Sequence, residues 1–189
     1  MSLIRLATDT DSDEIIELFT SIFKDDLFVK LTDRQVLKEF IETKYILGKQ
    51  CFIALEKQRI IGLIVLGKFD DAHFIWIIKS LLKNFKKVCE ILFKIENLVS
   101  LFKLIAYSII NYKYTKRCNI KWICVVDDCL RKGIGTRLIN EFQSSAIQIE
   151  SFVYVRTLSD NKQNINFYLR NGFQIIKYSF GRVLLERKY

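Results

Sequence analysis

Apolar and polar positions along the first third of the chain alternate between strand-like and helix-like spacing. Ile4–Ala7 alternates and predicts a first strand. Apolar residues then recur at helical spacing across Ile15–Phe23 and Val36–Tyr45, which predicts two amphipathic helices. The apolar runs Cys51–Leu55 and Ile60–Leu66 flank a short polar loop, so they predict a β-hairpin that supplies the second and third strands.

A long segment, residues 70–115, separates this hairpin from the next predicted strand. It is too long for a structureless loop, and its apolar residues keep a helical period with lysines between them. We therefore predict one or two helices inserted between the third and fourth strands. They could cover a sheet face, form a substrate lid, pair two copies as a homodimer, or lie at a membrane interface. The interleaved lysines leave no clean polar face and favour the first two roles over the membrane interface.

The remaining elements complete a single domain over residues 1–189. The predicted elements are a strand at Ile120–Val126, a glycine loop that opens a helix, a strand at Phe152–Thr157, a helix at Asn161–Arg170, and closing strands at Phe173–Tyr178 and Arg182–Leu185. Strands interspersed with helices predict an α/β class. No run reaches about 18 uncharged residues, so we expect no transmembrane segment.

Composition narrows the setting and the partners. Half of the residues are hydrophobic, which excludes a disordered chain, and the formal net charge of +9 favours acidic partners. A lysine-rich solvated surface explains such a charge more often than nucleic-acid binding does, and we predict no nucleic-acid partner. The five cysteines form no C-x-x-C pair and His73 is the single histidine, so we expect no metal site. The odd cysteine count and the absence of a signal-peptide core after Met1 predict a reducing, cytoplasmic location.

The segment Cys118–Asn140 combines a strand, a turn, a glycine-bearing loop and the start of a helix. Backbone N–H groups at a helix N-terminus bind anions, and phosphate is the usual anion. Gly133 and Gly135 would let the backbone approach a ligand, and Arg131 and Lys132 add positive charge. These features predict a pyrophosphate site. The dinucleotide fingerprint needs a third glycine and the Walker loop needs its lysine after the glycines, so both patterns fail here.

Two motifs in the C-terminal half resemble those of the Gcn5-related N-acetyltransferase (GNAT) superfamily. The family pattern V-x-P-x-x-[RQ]-x-x-G-x-[GA] is similar to Val125–Gly135, which reads V-V-D-D-C-L-R-K-G-I-G. The family pattern N-x-x-A-x-x-F-Y-x-x-x-G-F is matched by Asn161, Phe167, Tyr168, Gly172 and Phe173. The chain departs from these patterns at Asp127, Leu130 and Asn164. With the predicted element order, the resemblance covers almost the whole chain.

The resemblance implies a single-domain GNAT fold with a mixed central sheet flanked by helices. The sheet would splay between Ile120–Val126 and Phe152–Thr157, where acetyl-CoA enters. Acetyl would pass directly from acetyl-CoA to a primary amine, with Tyr168 as general acid toward the CoA thiolate. The residues implied to bind the cofactor are Ile123, Cys124 and Val125 through their backbone, Arg131, Lys132, Gly133, Ile134, Gly135 and Thr136 at the pyrophosphate, and Asn161 at the cofactor arm.

The general base and the acceptor stay open at the level of sequence. A carboxylate, a histidine or an ordered water can take the proton of the amine. The candidates near predicted strand ends are Glu56, Asp70, Asp71, His73, Asp127 and Asp128. We expect a small-molecule acceptor such as an amino sugar. The alternatives are a protein or peptide N-terminus and a non-catalytic module that binds acyl-CoA or an anionic surface.

Overall fold

A seven-stranded sheet runs through the part of the chain that the computed structural model describes, which comprises residues 2–26, 29–30, 32–67, 94–115, 117–146 and 151–188. The strands are β1 (Leu3–Leu6), β2 (Cys51–Glu56), β3 (Arg59–Gly67), β4 (Asn119–Val125), β5 (Phe152–Leu158), β6 (Gln174–Ser179) and β7 (Arg182–Lys188). Their order in the sheet is β1-β2-β3-β4-β5-β7-β6. Neighbouring strands are antiparallel except β4 and β5, which are parallel. The predicted mixed sheet is confirmed.

Helices pack on both faces of this sheet. They are α1 (Ser12–Ile22), α2 (Arg34–Ile41), α3 (Ile95–Ile110), α4 (Tyr112–Thr115), α5 (Ile134–Ala146) and α6 (Lys162–Arg170), with short turns of helix at Asp9–Asp11, Glu42–Ile46 and Asp127–Cys129. α5 and α6 bury Leu138, Phe142 and Tyr168 against one face, which we call the first face. α1 and α2 bury Phe19 and Phe40 against the other, the second face. The predicted helix-flanked α/β architecture is confirmed.

The described part of the inserted segment, α3 and α4, packs beside the C-terminal half of the sheet. Val153 and Val155 belong to the first-face core, so Tyr154 between them points to the second face. The ring of Tyr114 in α4 contacts the ring of Tyr154, with 5.3 Å between centroids. α4 therefore covers part of the second face over β5. Residues 70–93 of the predicted insertion lie outside the described residues, and none of the described helices has the length and apolarity to cross a bilayer.

The parallel strands β4 and β5 separate soon after they meet. Their pairing is confined to Asn119↔Tyr154 and Ile120↔Val155, while β4 continues to Val125 and β5 to Leu158. The separation begins at a bulge: β3 pairs Leu66 with Ile120 and Val65 with Trp122, which leaves Lys121 as an extra residue on β4. A bulge bends and twists its strand, so it turns β4 away from β5. The splay implied by the family resemblance lies at this point.

An ion pair fixes the connection between β1 and α1. The guanidinium of Arg5 donates two hydrogen bonds to the carboxylate of Asp11, at 2.7 and 2.8 Å. The backbone N–H and the hydroxyl of Thr8 donate to the same carboxylate, each at 2.8 Å. Hydrogen bonding by Arg5 is the main cause that lowers the pKa of Asp11 to about 2. The ionised form of Asp11 therefore contributes to the stability of the fold.

We expect Asp11→Asn to lower the free energy of unfolding at pH 7 by about 1–2 kcal/mol, a value reduced from the full pKa shift because Arg5 is partly exposed to solvent. A lowered pKa stabilises the fold above the unfolded value near 3.9 and loses that contribution as the pH falls toward 2. Urea unfolding at pH 7 and near pH 2.5 measures both. The control Asp9→Asn removes an exposed carboxylate from the same turn. A deficit of equal size at both pH values would contradict this account.

Candidate active site

The backbone of β4 presents unpaired groups to the gap between β4 and β5. The N–H of Val126 donates to the carbonyl of Ile61 at 2.9 Å, so these two residues form a hydrogen-bonded pair of the β3–β4 ladder. Hydrogen-bonded pairs alternate with non-hydrogen-bonded pairs along antiparallel strands, so Cys124 and Leu63 form the next hydrogen-bonded pair. The N–H and C=O groups of Ile123 and Val125 therefore point away from β3 and into the gap. Of the three residues expected to bind a ligand through their backbone, these two are placed to do so, while Cys124 bonds to β3.

The loop after β4 ends at an accessible helix N-terminus. Gly133 has a φ of 76°, a conformation that glycine adopts without strain, and α5 begins at the next residue. The N–H of Arg137 donates to the carbonyl of Gly133 at 3.0 Å and starts the helical ladder. The N–H groups of residues 134–136 thus have no intrahelical acceptor. Among the described residues, no atom lies within 4 Å of the position that a Cβ on Gly133 would take, so an anion can approach there.

The charged side chains of this loop lie in solvent. Arg131 and Lys132 are exposed, and Arg131 has a φ of 61°. Leu130 stands where the family pattern has arginine or glutamine, and 44% of its surface is exposed. Asp128 lies 3.7 Å from Arg59 in an exposed ion pair. The backbone N–H groups are therefore the part of the candidate anion site that the fold positions, and the two basic side chains are exposed beside it.

Gly135 has a packing role beside the role that its motif suggests. A Cβ at this position would lie 3.0 Å from Cζ and 3.1 Å from Cε2 of Phe167. These distances are shorter than ordinary carbon–carbon contacts. The approach of a ligand to the Gly135 backbone stays a prediction, and the structure adds a packing reason for glycine at this position. The space that a side chain would need is filled by the ring of Phe167, which packs α6 against the first turn of α5.

The second family motif shapes both ends of α6. The side-chain oxygen of Asn161 accepts a hydrogen bond from the N–H of Asn164 at 2.9 Å and caps the helix. Gly172 has a φ of 79° and follows the last turn, as glycine commonly does at helix ends. Phe173 is buried in the first-face core. Binding of the cofactor arm by Asn161 stays a prediction, and it would fall to the amide NH₂ because the oxygen is used by the cap.

Tyr168 lies on the buried side of α6. Its ring contacts Phe167 and Phe173, with centroid separations of 5.2 and 5.5 Å, and only 5% of the residue is exposed. Burial raises the pKa of Tyr168 above its ordinary value. The phenol is therefore protonated throughout the physiological range and can donate a proton or a hydrogen bond. Its neighbour Phe167 touches the first turn of α5, which places Tyr168 one residue away from the contact between α6 and the anion site.

Nothing in the described residues identifies a general base. Glu56, Asp127 and Asp128 are exposed, and Asp128 is engaged with Arg59. The other candidates, Asp70, Asp71 and His73, lie outside the described residues. His, Cys, Asp and Glu side chains in the described ranges form no group of three that could hold a metal ion.

The cysteine next to the gap is a poor nucleophile. Cys124 is buried and points toward the second-face core, and burial raises the pKa of its thiol to about 12. The thiolate is the reactive form, so very little of it exists at neutral pH. Cys51, Cys118 and Cys129, the other cysteines in the described ranges, are in no disulfide bond with one another or with Cys124.

Comparison with known proteins agrees with this arrangement. The family model described as an acetyltransferase (GNAT) domain matches residues 96–175, the range that holds β4, the glycine loop, α5, β5 and α6. The chain has the GNAT acetyltransferase fold. Together, the domain match and the fold support an acyltransferase enzyme. A search of curated proteins finds no match.

Solved structures with this GNAT fold align over nearly the full chain. A polyamine N-acetyltransferase from Drosophila melanogaster is 13% identical, with a TM-score of 0.68 and complete coverage of both chains. The PaiA N-acetyltransferase from Thermoplasma acidophilum, solved with coenzyme A, is 13% identical, with a TM-score of 0.57 and coverage of 100% and 99%. A ribosomal-protein-alanine N-acetyltransferase from Brucella melitensis is 14% identical, with a TM-score of 0.61 and 99% coverage of both chains.

Two features of the site are missing from the predictions made from the sequence. The bulge at Lys121 occurs within an apolar strand and leaves no glycine or proline to mark it. The contact between Gly135 and Phe167 joins residues of two separate motifs. The matching sizes of the two residues, one without a side chain and one with a large ring, are the signal that could have suggested their contact.

We expect Gly135→Ala to lower the free energy of unfolding by about 1–3 kcal/mol because the added methyl group overpacks the contact with Phe167. Combining it with Phe167→Leu should recover more than half of that loss, measured against Phe167→Leu alone in a double-mutant cycle of urea unfolding. Gly133→Ala is the control: its positive φ makes alanine unfavourable by about 1 kcal/mol, and Phe167→Leu should not relieve it. Equal rescue of both alanine variants would argue against the contact.

Proposed function

We propose that this GNAT domain transfers an acetyl group from acetyl-CoA directly to a primary amine of a small molecule. The observation that carries the proposal is the gap between β4 and β5, where the backbone groups of Ile123 and Val125 lead into the helix N-terminus at residues 134–136. An extended pantetheine arm supplies the amide partners that such a strand edge lacks. A pyrophosphate supplies the anion that such a helix end favours.

The residues present fit acetyl-CoA as the acyl donor. The backbone of Ile123 and Val125 would pair with the arm, and a backbone N–H of β4 would stabilise the oxyanion that forms on the thioester carbonyl. The N–H groups of residues 134–136 would hold the pyrophosphate, with Arg131 and Lys132 as surrounding charge. The amide NH₂ of Asn161 lies at the start of α6 and would bind the arm from the β5 side.

The reaction balances without a covalent enzyme intermediate. The neutral amine nitrogen attacks the thioester carbon, a C–N bond forms, the C–S bond breaks, and the proton lost by the amine passes to a base or to water. Tyr168 would fill the general-acid position by donating a hydrogen bond to the departing sulfur, and the thiolate takes its proton from solvent after the bond has broken. The raised pKa of Tyr168 makes complete proton transfer to a thiolate unfavourable, so the benefit lies mostly in the hydrogen bond to the sulfur as the bond breaks.

A small acceptor is favoured by the packing of the inserted segment. α4 covers the second face beside β5, which narrows the approach to the gap from that side. A peptide substrate needs an open groove, so this packing favours a compact amine such as an amino sugar. The fold neighbours include both a polyamine enzyme and a ribosomal-protein enzyme, and at 13–14% identity they do not choose between the two classes. We retain the cytoplasm as the predicted location.

An acceptor screen with acetyl-CoA, read as release of free CoA, tests the proposal against a non-catalytic acyl-CoA-binding module. The proposal expects saturable acetyl-CoA binding and acetyl transfer to at least one small amine. Binding without transfer to any small amine or peptide N-terminus would support the non-catalytic module. Transfer confined to peptide N-termini would overturn the small-molecule acceptor and leave the transferase assignment standing.

Tyr168→Phe should lower kcat by about 10²-fold, the lower end of typical general-acid contributions, while the affinity for CoA changes little. Removing the hydroxyl leaves the buried ring contacts intact, so the fold is kept. Steady-state kinetics and CoA titration measure the two effects. Tyr178→Phe, at an exposed tyrosine on β6, is the control. An unchanged kcat in Tyr168→Phe would sink the general-acid role.

Cys124→Ala should keep kcat/KM within about threefold, because a thiol with its pKa near 12 does not serve as the acyl carrier. Cys51→Ala, which removes another buried thiol from the second-face core, is the control for packing effects. Intact-protein mass spectrometry after incubation with acetyl-CoA checks for an acylated thiol. A selective loss of turnover in Cys124→Ala, with an acetylated species in the wild type, would replace direct transfer by a two-step route.

A further inference from the structure

One side of α3 exposes large apolar side chains to solvent. Phe102 is 70% exposed and Ile110 is 56% exposed, and Leu98 and Val99 are exposed as well. Leu98, Phe102 and Ile110 are separated by multiples of four residues, so they lie in one row along the helix. We call these four residues the apolar stripe of α3. A group of exposed apolar side chains of this kind marks a surface where another molecule binds.

Lysines border the apolar stripe on both sides. At about 100° per residue, the stripe spans about 120° of the helix circumference, from Leu98 to Ile110. Lys103 lies about 20° beyond Ile110, and Lys94, directly before α3, lies about 40° before Leu98 on the other edge. Both lysines are exposed. In the described part of the insertion, the lysines therefore flank the exposed apolar residues, which is the arrangement of a helix that lies at a membrane surface.

The C-terminal end of α3 is attached to the sheet. Asn111, which directly follows α3, is buried, and its side-chain amide NH₂ donates to the hydroxyl of Ser179 in β6 at 3.4 Å. The next helix, α4, contacts β5 through the rings of Tyr114 and Tyr154. The apolar stripe is therefore part of the surface of the folded domain.

The charges of this segment favour an anionic partner. Its described charged side chains, between residues 94 and 117, are all exposed and comprise four cations and one carboxylate, namely Lys94, Lys103, Lys113, Arg117 and Glu96. A second copy packed on the stripe with two-fold symmetry would bring the same lysine-bordered edges together, which like-charge repulsion disfavours. A layer of anionic groups over an apolar interior complements both the lysines and the stripe.

We infer that the apolar stripe of α3 docks the protein on the surface of a bilayer that contains anionic lipids. The stripe would enter the boundary between headgroups and acyl chains, and Lys94 and Lys103 would extend to the lipid phosphates. α3 has 16 residues, and none of the described helices can cross a bilayer, so α3 would lie along the surface. This docking is independent of the proposed acetyl transfer and concerns where the enzyme acts.

Sedimentation of the full-length protein with lipid vesicles tests the docking. Vesicles of an equimolar mixture of phosphatidylcholine and phosphatidylserine are compared with vesicles of phosphatidylcholine alone. The inference expects saturable binding to the mixed vesicles that is at least about tenfold tighter than to phosphatidylcholine, because each lysine near an anionic surface adds to the affinity. Added salt should weaken the binding by screening. No binding to the mixed vesicles, or equal binding to both kinds, would overturn the inference.

Variants assign the binding to the apolar stripe. Phe102→Ser should weaken binding to the mixed vesicles by about tenfold or more, the low end for burying a phenylalanine side chain, and Phe102→Leu should keep most of the affinity. Lys103→Gln should weaken it by about fivefold, the effect of one cation near an anionic surface. Because both side chains are exposed, the variants should fold normally, which urea unfolding verifies.

Two matched controls remove similar groups elsewhere. Tyr178→Ser deletes an exposed aromatic ring from β6, and Lys188→Gln deletes an exposed cation from β7. Neither should change vesicle binding. An unchanged affinity in Phe102→Ser, or an equal loss in Tyr178→Ser, would contradict the assignment to α3.

Sedimentation equilibrium of the protein without lipid distinguishes a bilayer from a second copy. The inference expects the same molecular mass for the wild type and Phe102→Ser. A dimer that is lost in Phe102→Ser would assign the stripe to a second copy and overturn the inference. Vesicle binding by a protein that releases no CoA with any acceptor would leave the docking supported and overturn only the transferase.

Discussion

The separation of β4 from β5 is the constraint on which the site depends. A strand inside a sheet normally pairs both of its edges, and unpaired backbone groups away from water are costly. Here the N–H and C=O groups of Ile123 and Val125 point into a gap that the neighbouring strand has left. The extra residue Lys121 bends β4 at the point where pairing stops. A ligand with an extended chain of amides would complete such an edge, so the backbone geometry supports the gap as the site proposed for the cofactor arm.

The contact between Gly135 and Phe167 joins the two halves of the site. Gly135 lies in the first turn of α5, at the candidate anion site, and Phe167 lies in α6 next to Tyr168. Because a methyl group would not fit between them, the ring of Phe167 packs directly against the backbone of the helix that carries the candidate phosphate site. Each of the two sequence motifs therefore contributes one residue to the same packing contact, Gly135 from the first and Phe167 from the second.

The order of the elements could be predicted from the sequence because each has a clear hydrophobic period and capping signals. The glycine loop could also be predicted, since Gly133 adopts a conformation that favours glycine. The bulge at Lys121 could not, because it is set by pairing with β3 and not by local propensity. The packing role of Gly135 could not be predicted for a similar reason: its missing side chain makes room for Phe167, which is distant in sequence. Asn161 is a third example. The resemblance implies that it binds the cofactor arm, and the structure shows in addition that its side-chain oxygen caps its own helix.

The gap also divides the chemistry between the two faces of the sheet. The candidate anion site and Tyr168 belong to helices on the first face. In the proposed function acetyl-CoA would therefore be held from the first face, and an acceptor amine that arrives from the second face would meet the thioester at the gap, next to the β4 backbone. Because the two substrates would approach from opposite faces, residues on the second face could differ without disturbing the donor site.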